Sequence, residues 1–296
     1  MQPHFYAAFL EKIGHTVREA HGVHWFNVFT QTWICFPLET QLDPAHVDVD
    51  AVINDFRGGI VRYCCSVELG APGFRHVATA KDYSLASLQP KHRNQTRQGL
   101  QNCACGPADP RELAREGIEL HAETILRQGR RLPDNYENYW KKYFHAVAEC
   151  PAATAWACRC EGALAAYLIS FRIGSVENIC IVRSREDLLK YRPNNALLFT
   201  FLQHALANPL TSEVCIGLQS LQRDMASLDS FKRGMGFTEK PIGQRIEVRA
   251  PLGLQIPRIA ARIAAKAADK LNNELAARLA GALHLYEQQP RIRRAA

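Results

Sequence analysis

The residues of this chain that could do chemistry by type and spacing are its cysteines and its clustered cations. The sequence has 10 cysteines among 296 residues. Zinc sites usually take cysteines in C-x2–4-C pairs, because that gap lets both sulfurs reach one tetrahedral ion. Here there is no C-x-x-C, and the closest groupings are one C-C (64–65) and two C-x-C (103–105 and 158–160). Several cysteines lie in apolar runs, so the sequence predicts buried reduced thiols, no metal and no disulfides.

A second reactive group is a basic stretch between residues 91 and 97. Lys91, His92, Arg93 and Arg97 fall in helical register, and Arg93 and Arg97 stand four residues apart on one face. Such a face is either simply solvated or binds phosphate groups. Both interpretations stay open at this point.

A third group is a pair of cations in SLDSFKRGMGFTEKP, residues 227–241. The pattern predicts a helix that ends at Gly234, because glycine takes the left-handed cap conformation without a Cβ penalty. Lys232 and Arg233 would then lie in the last turn, where the helix dipole favours positive charge. That explanation is purely structural, and it leaves room for a chemical role of Lys232.

Composition and charge limit the kind of protein that carries these residues. Hydrophobic residues make up 47% of the chain, which predicts a sizeable core. No apolar run reaches the roughly 18–20 residues that span a bilayer, and the start lacks a secretory-signal pattern. We therefore expect a cytoplasmic protein. Most of the net charge of +7 lies near the C-terminus, because residues 251–296 contain 8 Lys and Arg residues but 3 Asp and Glu residues.

The periodicity of the apolar residues predicts the elements that position these groups. Residues 23–36 and 62–69 are typical of strands, with a turn at 71–73. The pattern then predicts helices at 91–100, 111–128 and 135–149, and three antiparallel strands at 153–160, 163–172 and 176–184. A helix (196–208), a strand (212–218), a helix (224–234) and two strands (236–240 and 244–250) follow. No G-x-G-x-x-G is present, so a Rossmann fold is not indicated.

The tail, residues 253–288, predicts a basic amphipathic helix. Its apolar stripe consists of Ile256, Ile259, Ile263, Leu271, Leu275, Leu279 and Leu283. Such a helix docks on its own domain, on a second copy of the chain, or on a membrane surface. The three alternatives stay open.

Three of these features together resemble the GNAT acyltransferase superfamily, and its FemAB-like branch in particular. They are the element order from 153 to 249, the closing FKRGMGF, and the basic KHRNQTRQGL that opens the region. The resemblance covers about residues 91–249. It implies a mixed α/β fold of α+β type with a central splayed sheet. It divides the chain into a β-rich, degenerate acyltransferase-like section (1–90), an acyltransferase domain (91–250) and the helical tail (251–296).

The resemblance also implies a place for an acyl donor. In this fold two central parallel strands diverge, and the donor phosphates bind at the N-terminus of the following helix. Here that point is YRPNNALLFTF, which assigns donor binding to Arg192, Asn194, Asn195 and Ala196. Acetyl-CoA-dependent relatives carry [Q/R]-x-x-G-x-[G/A] at this loop. This chain has Arg192 in the first place, but Asn195 and Leu197 in the places of the glycines.

Catalytic roles follow from the same resemblance. Phe231-Lys232 matches a Phe-Lys pair that lies beside the donor ester in FemAB-like transferases. An ammonium group there stabilises the oxyanion that forms when an amine attacks the acyl carbon. Glu177 and Asp224 are the candidates for the general base that takes the proton from the amine.

Three functions compete at this stage. The first is an N-acyltransferase that moves an acyl group from acetyl-CoA or another acyl-CoA to a small-molecule or peptide amine. The second is a FemAB-type aminoacyltransferase with aminoacyl-tRNA as donor, in which Lys91, Arg93 and Arg97 bind the tRNA. The third is a non-catalytic module that retains the fold and binds a partner through its tail.

Overall fold

The computed structural model describes residues 3–29, 31–53, 58–127, 129, 131–219, 226–249, 257–269 and 274–292. In these residues the helices are α1 (Pro3–Lys12), α2 (Val49–Ile53), α3 (Pro90–Asn102), α4 (Pro110–Arg127), α5 (Tyr136–Glu149), α6 (Pro193–Ala207), α7 (Ala226–Gly234), α8 (Arg258–Asp269) and α9 (Glu274–Gln288). The strands are β1 (Val17–Ala20), β2 (Val23–Phe29), β3 (Thr32–Phe36), β4 (Gly59–Cys65), β5 (Ala71–Ala78), β6 (Cys103–Pro107), β7 (Ala153–Cys160), β8 (Ala163–Ile173), β9 (Val176–Ser184), β10 (Glu213–Leu218) and β11 (Thr238–Arg249). The mixed α/β class that the sequence predicts is confirmed.

The chain divides into two compact units. The first consists of Met1–Ile13, His76–Gly217 and Ala226–Thr238, and the second of Gly14–Arg75, Leu218–Met225 and Glu239–Ala296. The division at residues 90 and 250 stays a prediction.

In the first unit the strands follow the order β5-β10-β9-β8-β7-β6, with β5 contributing its last three residues. Strands β6 to β9 are antiparallel neighbours, whereas β9 and β10 run parallel. The predicted meander is confirmed closely, since β7, β8 and β9 begin at the expected residues. Strand β6 and helix α1 are additions that the sequence pattern did not indicate.

Helices cover both faces of this sheet, as the alternation along β8 demonstrates. Tyr167 and Phe171 contact aromatic rings of α5 and α1, whereas Ala166 and Leu168 belong to the core that includes α6. Successive side chains of a strand point to opposite faces. Helices α1 and α5 therefore lie on one side of the sheet and α6 on the other. Strand β8 is buried almost throughout as a result.

Two cysteines of the first unit correct the prediction of wholly reduced thiols. Strands β6 and β7 pair so that Cys103 lies directly opposite Cys160, and the two form a disulfide with a Cα–Cα distance of 4.4 Å. The prediction was wrong for this pair because spacing along the chain carries no information about which residues face each other across strands.

In the second unit the strands follow the order β1-β2-β3-β4-β11-β5. The predicted turn at 71–73 was wrong, because Ala71 begins β5. Helix α9 packs through Leu285 onto Ala71 and Ile246 of this sheet. Beyond the helix, the buried Gln289 donates to the Ile246 carbonyl and accepts from the Ile246 N–H, both at 2.9 Å. The tail thus docks on its own chain through α9.

Helix α8 packs against α9 through small residues rather than through the predicted isoleucines. Ala261 and Ala265 are buried against Leu283. Ile259 and Ile263 of the predicted apolar stripe are 72% and 65% exposed, so this part of the stripe does not dock on its own chain. Alanine allows the two helix backbones to approach closely, which turns the larger residues outward. Ile256 and Leu271 lie outside the described residues.

No helix in the described ranges combines the length and the apolarity needed to cross a lipid bilayer.

Candidate active site

The first unit opens where β9 and β10 separate. Their parallel pairing joins Val176–Asn178 to Glu213–Cys215. Strand β9 then continues to Ser184 and β10 to Leu218 without further pairing between these two strands among the described residues. Gly217 has φ +94°, a conformation that residues with a side chain rarely adopt, so β10 departs from regular strand geometry at this residue. Two parallel strands that pair over three positions and then part leave a gap between them.

A bulge in β9 marks this gap. Ile169 and Ser170 of β8 pair with Ile181 and Ile179, so that Cys180 is the extra residue on β9. Cys180 is exposed, while Ile179 and Ile181 are buried. A bulge leaves one residue out of the ladder and bends its strand. The middle of β9 is therefore accessible, although it lies within a sheet.

Helix α6 begins beside the end of β9, as the donor-binding prediction requires. Arg192 is its N-cap in the left-handed conformation (φ 59°), and Pro193 is its first residue. The N–H groups of Asn195 and Ala196 both donate to the Arg192 carbonyl at 3.2 Å. A helix start normally leaves its first N–H groups free to bind an anion. The Ala196 bond is the ordinary first bond of a helix. Pro193, however, has no N–H, and the N–H groups of Arg192 and Asn195 are occupied by the carbonyls of Leu189 and Arg192, so this start offers fewer donors than usual.

The side chains at this helix start face different surroundings. Arg192 is exposed, and Asn194 is half-buried with its Nδ2 donating to Ser184 Oγ at 3.1 Å. Asn195 is buried against Met235, with 3.4 Å between Nδ2 and the sulfur. Leu197 lies in the core, so its bulk points away from the loop. Of the four predicted donor-binding residues, Arg192 and Asn194 have accessible side chains, and Ala196 is fully buried.

Gly99 of α3 explains how tightly this region is packed. A Cβ at Gly99 would lie 2.7 Å from the Arg192 carbonyl oxygen and 3.0 Å from Ala196 Cβ. Helix α3 therefore lies directly against the first turn of α6. Any larger residue at position 99 would displace the loop that carries Arg192.

Helix α7 holds the predicted Phe-Lys pair. Lys232 is only 7% exposed, and desolvation lowers the pKa of its amine, opposed by the nearby Asp229 carboxylate. Lys232 Nζ lies 3.7 Å from Asp229 Oδ1, and the same oxygen lies 2.9 Å from Nε2 of the buried His76 on β5. Phe231 packs edge-to-face on His92 of α3, with 5.6 Å between ring centroids. The ammonium is thus held by a fixed carboxylate rather than extended into solvent.

The two glycines after Lys232 have different roles, which corrects the predicted cap. Gly236, not Gly234, takes the left-handed conformation (φ +89°). The Gly236 N–H donates to the Arg233 carbonyl, and the Phe237 N–H donates to the Lys232 carbonyl, which is the Schellman pattern. Gly234 is the last helical residue, and a Cβ there would collide with the His92 ring.

The candidate general base Glu177 lies on β9 within the three paired positions. It is opposite Arg172 on β8 and Val214 on β10. Desolvation raises the pKa of its carboxyl, opposed by a hydrogen bond from Ser170. Its Oε1 is buried without a hydrogen-bond partner among the described residues. A desolvated carboxylate of this kind is suited to accepting a proton near neutral pH. Asp224, the other candidate, lies outside the described residues.

The predicted phosphate-binding cations divide into two kinds. The Arg93 guanidinium donates to the carbonyls of Leu85 and Leu88 at 2.9 and 3.0 Å, so it ties α3 to the preceding turn. Lys91 and Arg97 are exposed, and Arg97 donates to the Asn94 side chain at 3.1 Å. Of the three predicted phosphate-binding cations, Lys91 and Arg97 present their charge to solvent, and Arg93 does not.

Sequence reasoning missed His76 and Asp229. The two residues are 153 positions apart and meet only because β5 ends beside α7. No local pattern marks either residue. The single clue in the sequence is that Asp229 precedes Lys232 by three positions, a spacing that brings two helical side chains together.

A sheet with two diverging parallel strands, a helix that starts at their open end and a buried lysine nearby define an acyltransferase fold. Residues 90–218 match the family described as Acetyltransferase (GNAT) domain. Residues 90–218 therefore form a GNAT-superfamily acyltransferase domain, and the predicted superfamily is confirmed for this part of the chain. An enzyme, rather than a non-catalytic module, is the assignment that this domain supports.

Two solved structures extend the likeness beyond the matched domain. FemX superposes with a TM-score of 0.55 at 12% identity, over 80% of this chain and 90% of FemX. The C-terminal domain of a putative lysylphosphatidylglycerol synthetase from Agrobacterium fabrum superposes with a TM-score of 0.55 at 11% identity. The match covers 82% of this chain and 86% of that domain. At such identities the likeness shows the fold alone. No curated protein sequence matches the chain.

Proposed function

We propose that the chain is an N-acyltransferase whose donor carbonyl enters the gap between β9 and β10. The observation that carries the proposal is the pairing of these strands over three positions, followed by their separation. The acyl group passes from an acyl-CoA thioester to the amine of a small molecule or peptide. The reaction takes place in the cytoplasm, where acyl-CoA is made.

Two side chains of the first unit have roles in this reaction. The neutral amine nitrogen attacks the acyl carbon and forms a tetrahedral intermediate. Lys232, held by Asp229, stabilises its oxyanion. Glu177 accepts the proton that the amine loses, directly or through a water molecule. The intermediate collapses when the CoA thiolate leaves and the amide forms.

A second candidate donor is aminoacyl-tRNA, and one observation favours it. Pro193 and the two occupied N–H groups leave the start of α6 poorly equipped for a pyrophosphate. The exposed Lys91 and Arg97 on α3 would meet the phosphates of a tRNA instead. The likeness to FemX is compatible with this donor.

Donor binding tests both candidates in one experiment. Thermal shift and calorimetry on the full chain would compare acetyl-CoA, a long-chain acyl-CoA, CoA alone, aminoacyl-tRNA and uncharged tRNA. A ligand that binds the folded state raises the apparent stability. We expect acyl-CoA to stabilise the chain and Arg192→Ala to weaken binding. Stabilisation by aminoacyl-tRNA alone would select the second candidate, and stabilisation by none would contradict the proposal.

We also propose that α8 attaches the second unit to an anionic membrane surface. Ile259 and Ile263, one turn apart, are both exposed, and Lys266 is exposed nearby. Apolar side chains beside cations on an exposed helix fit an anionic bilayer surface. Association of two copies through the same residues is the competing outcome, and light scattering at several concentrations separates the two.

A further inference from the structure

Two C-x-C segments face each other on neighbouring strands of the first unit. Cys103 and Cys105 lie on β6, and Cys158 and Cys160 lie on β7. The antiparallel register sets Cys103 opposite Cys160 and Cys105 opposite Cys158. Residues two apart on a strand share one face. All four sulfurs therefore project from the same face of the sheet, from two residue pairs that are separated by the Ala104–Arg159 pair.

Three of these sulfurs lie close enough together to bind one metal ion once the disulfide is reduced. The Cα atoms of Cys103 and Cys160 are 4.4 Å apart, which is typical of the closer type of antiparallel pair. The sulfur atoms of Cys103, Cys158 and Cys160 all lie within 4.8 Å of one another. Tetrahedral zinc with Zn–S bonds of about 2.3 Å places its sulfurs roughly 3.8 Å apart. Small side-chain rotations would bring these three sulfurs to one ion.

The fourth sulfur and its surroundings complete the set. The Cys105 side chain is half-buried, directly opposite Cys158, and lies close to the Thr200 hydroxyl of α6. Cys103, Cys158 and Cys160 are buried in the core that α6 covers. A hydroxyl beside a ligating sulfur is the kind of outer contact that orients metal ligands. The site is closed, as structural zinc sites are.

We propose that the reduced chain binds one zinc ion through Cys103, Cys105, Cys158 and Cys160. The Cys103–Cys160 disulfide is the oxidised, metal-free form of this site. A phosphine reductant gives two electrons to the disulfide, and with one water molecule it yields two thiols and the phosphine oxide. The four thiols then release their protons to the buffer as the Zn–S bonds form.

The site would also tie the sheet to the start of α6. Cys103 Sγ lies 3.8 Å from the carbonyl oxygen of Tyr191, the residue before Arg192. An ion bound through Cys103 therefore holds β6 beside the loop that precedes α6. Its effect is on stability, and it does not depend on which donor the enzyme uses.

The test titrates the full chain with Zn²⁺ and with Co²⁺ after reduction by a phosphine. We expect one ion per chain by native mass spectrometry. With Co²⁺ we expect the thiolate-to-cobalt charge-transfer band and the visible bands of tetrahedral coordination. The melting temperature should rise with zinc in the reduced protein and stay unchanged in the oxidised protein.

Variants assign the ligands. Cys103→Ser/Cys160→Ser should abolish uptake, and Cys180→Ser, an exposed cysteine elsewhere in the same unit, should leave it unchanged. If the double variant does not fold, Cys105→Ser provides the second test, with zinc affinity expected to fall at least about tenfold. The proposal is overturned if the reduced chain takes up neither ion, or if Cys105→Ser and the double variant bind as tightly as the unaltered chain.

Discussion

His76 and Asp229, on β5 and α7, are joined by a 2.9 Å contact between His76 Nε2 and Asp229 Oδ1. The same oxygen lies 3.7 Å from Lys232 Nζ. His76 is fully buried, so this contact fixes the carboxylate that faces the lysine. The ammonium at position 232 is thereby positioned by two elements of the first unit, β5 and α7, rather than by α7 alone.

Asp229→Asn should move the alkaline limb of the pH–rate profile to lower pH. Desolvation lowers the pKa of Lys232, and the Asp229 carboxylate opposes this shift. Without that charge nothing offsets the desolvation, so the pKa of Lys232 falls further and the amine loses its proton at lower pH. kcat/KM measured across pH checks the shift, with Ser230→Ala, an exposed neighbour, as the control. An unchanged alkaline limb would mean that Lys232 is not the titrating group.

Lys232→Ala should reduce kcat/KM by about 10²–10³-fold, because one oxyanion-stabilising group is removed. Donor affinity should stay close to that of the unaltered chain. Arg233→Ala is the matched control, since Arg233 is a cation in the same helical turn but is exposed. If kcat/KM fell equally in the two variants, the effect would come from the loss of positive charge in general, and Lys232 would have no specific catalytic role.

Glu177→Gln should lower activity by about 10²–10⁴-fold, the usual contribution of a general base, and abolish the acid limb of the pH–rate profile. The same variant should be more stable than the unaltered chain at neutral pH. The folded-state pKa of Glu177 is raised by desolvation, so ionisation above that pKa destabilises the fold. Its contribution is favourable at low pH and is lost as pH rises through the folded-state pKa.

Chemical denaturation at several pH values tests this stability effect, and Glu186→Gln, an exposed carboxylate, is the control. A structural role alone would make Glu177→Gln less stable and leave the shape of the pH–rate profile unchanged.

Gly234→Ala and Gly236→Ala should both destabilise the first unit, for different reasons. Gly236 has φ +89°, which costs roughly 1–2 kcal/mol for a residue with a Cβ. At Gly234 the cost comes from the collision with His92, about 1–3 kcal/mol for overpacking. Thermal unfolding measures both, and Gly106→Ala is the control because a Cβ there meets nothing within 4 Å.

A double variant separates the two reasons. His92→Ala should offset part of the loss at Gly234 and none of the loss at Gly236. If His92→Ala changed the stability of Gly234→Ala and of Gly236→Ala by the same amount, the loss at Gly234 could not be assigned to the collision with His92.

Ile259→Ser/Ile263→Ser should reduce binding to vesicles that contain anionic phospholipid, because two exposed apolar side chains are lost from α8. Co-sedimentation checks this, with Leu210→Ser, another exposed apolar residue, as the control. Binding should weaken with salt, since screening shortens the reach of Lys266. Vesicle binding that is equal in all three proteins would contradict the membrane proposal.

Local sequence patterns predict the meander β7–β9 and helices α3 to α6 well. Apolar alternation and helical periodicity are properties of neighbouring residues, and turn residues such as Glu161-Gly162 punctuate them. The Phe231-Lys232 pair and the loop at Arg192 were singled out by the family resemblance instead, since each is a short contiguous motif, and their roles stay predictions.

Contacts between distant segments could not be predicted from those patterns. His76 meets Asp229 from 153 residues away, and His92 rather than the helix cap explains Gly234. The four cysteines come together only through the register of β6 on β7. The amino-acid order settles which segments become helix or strand, because those preferences are local. Which side chains meet depends on strand pairing and packing. Those long-range contacts place the Asp229 carboxylate beside Lys232, separate β9 from β10, and bring the four sulfurs together.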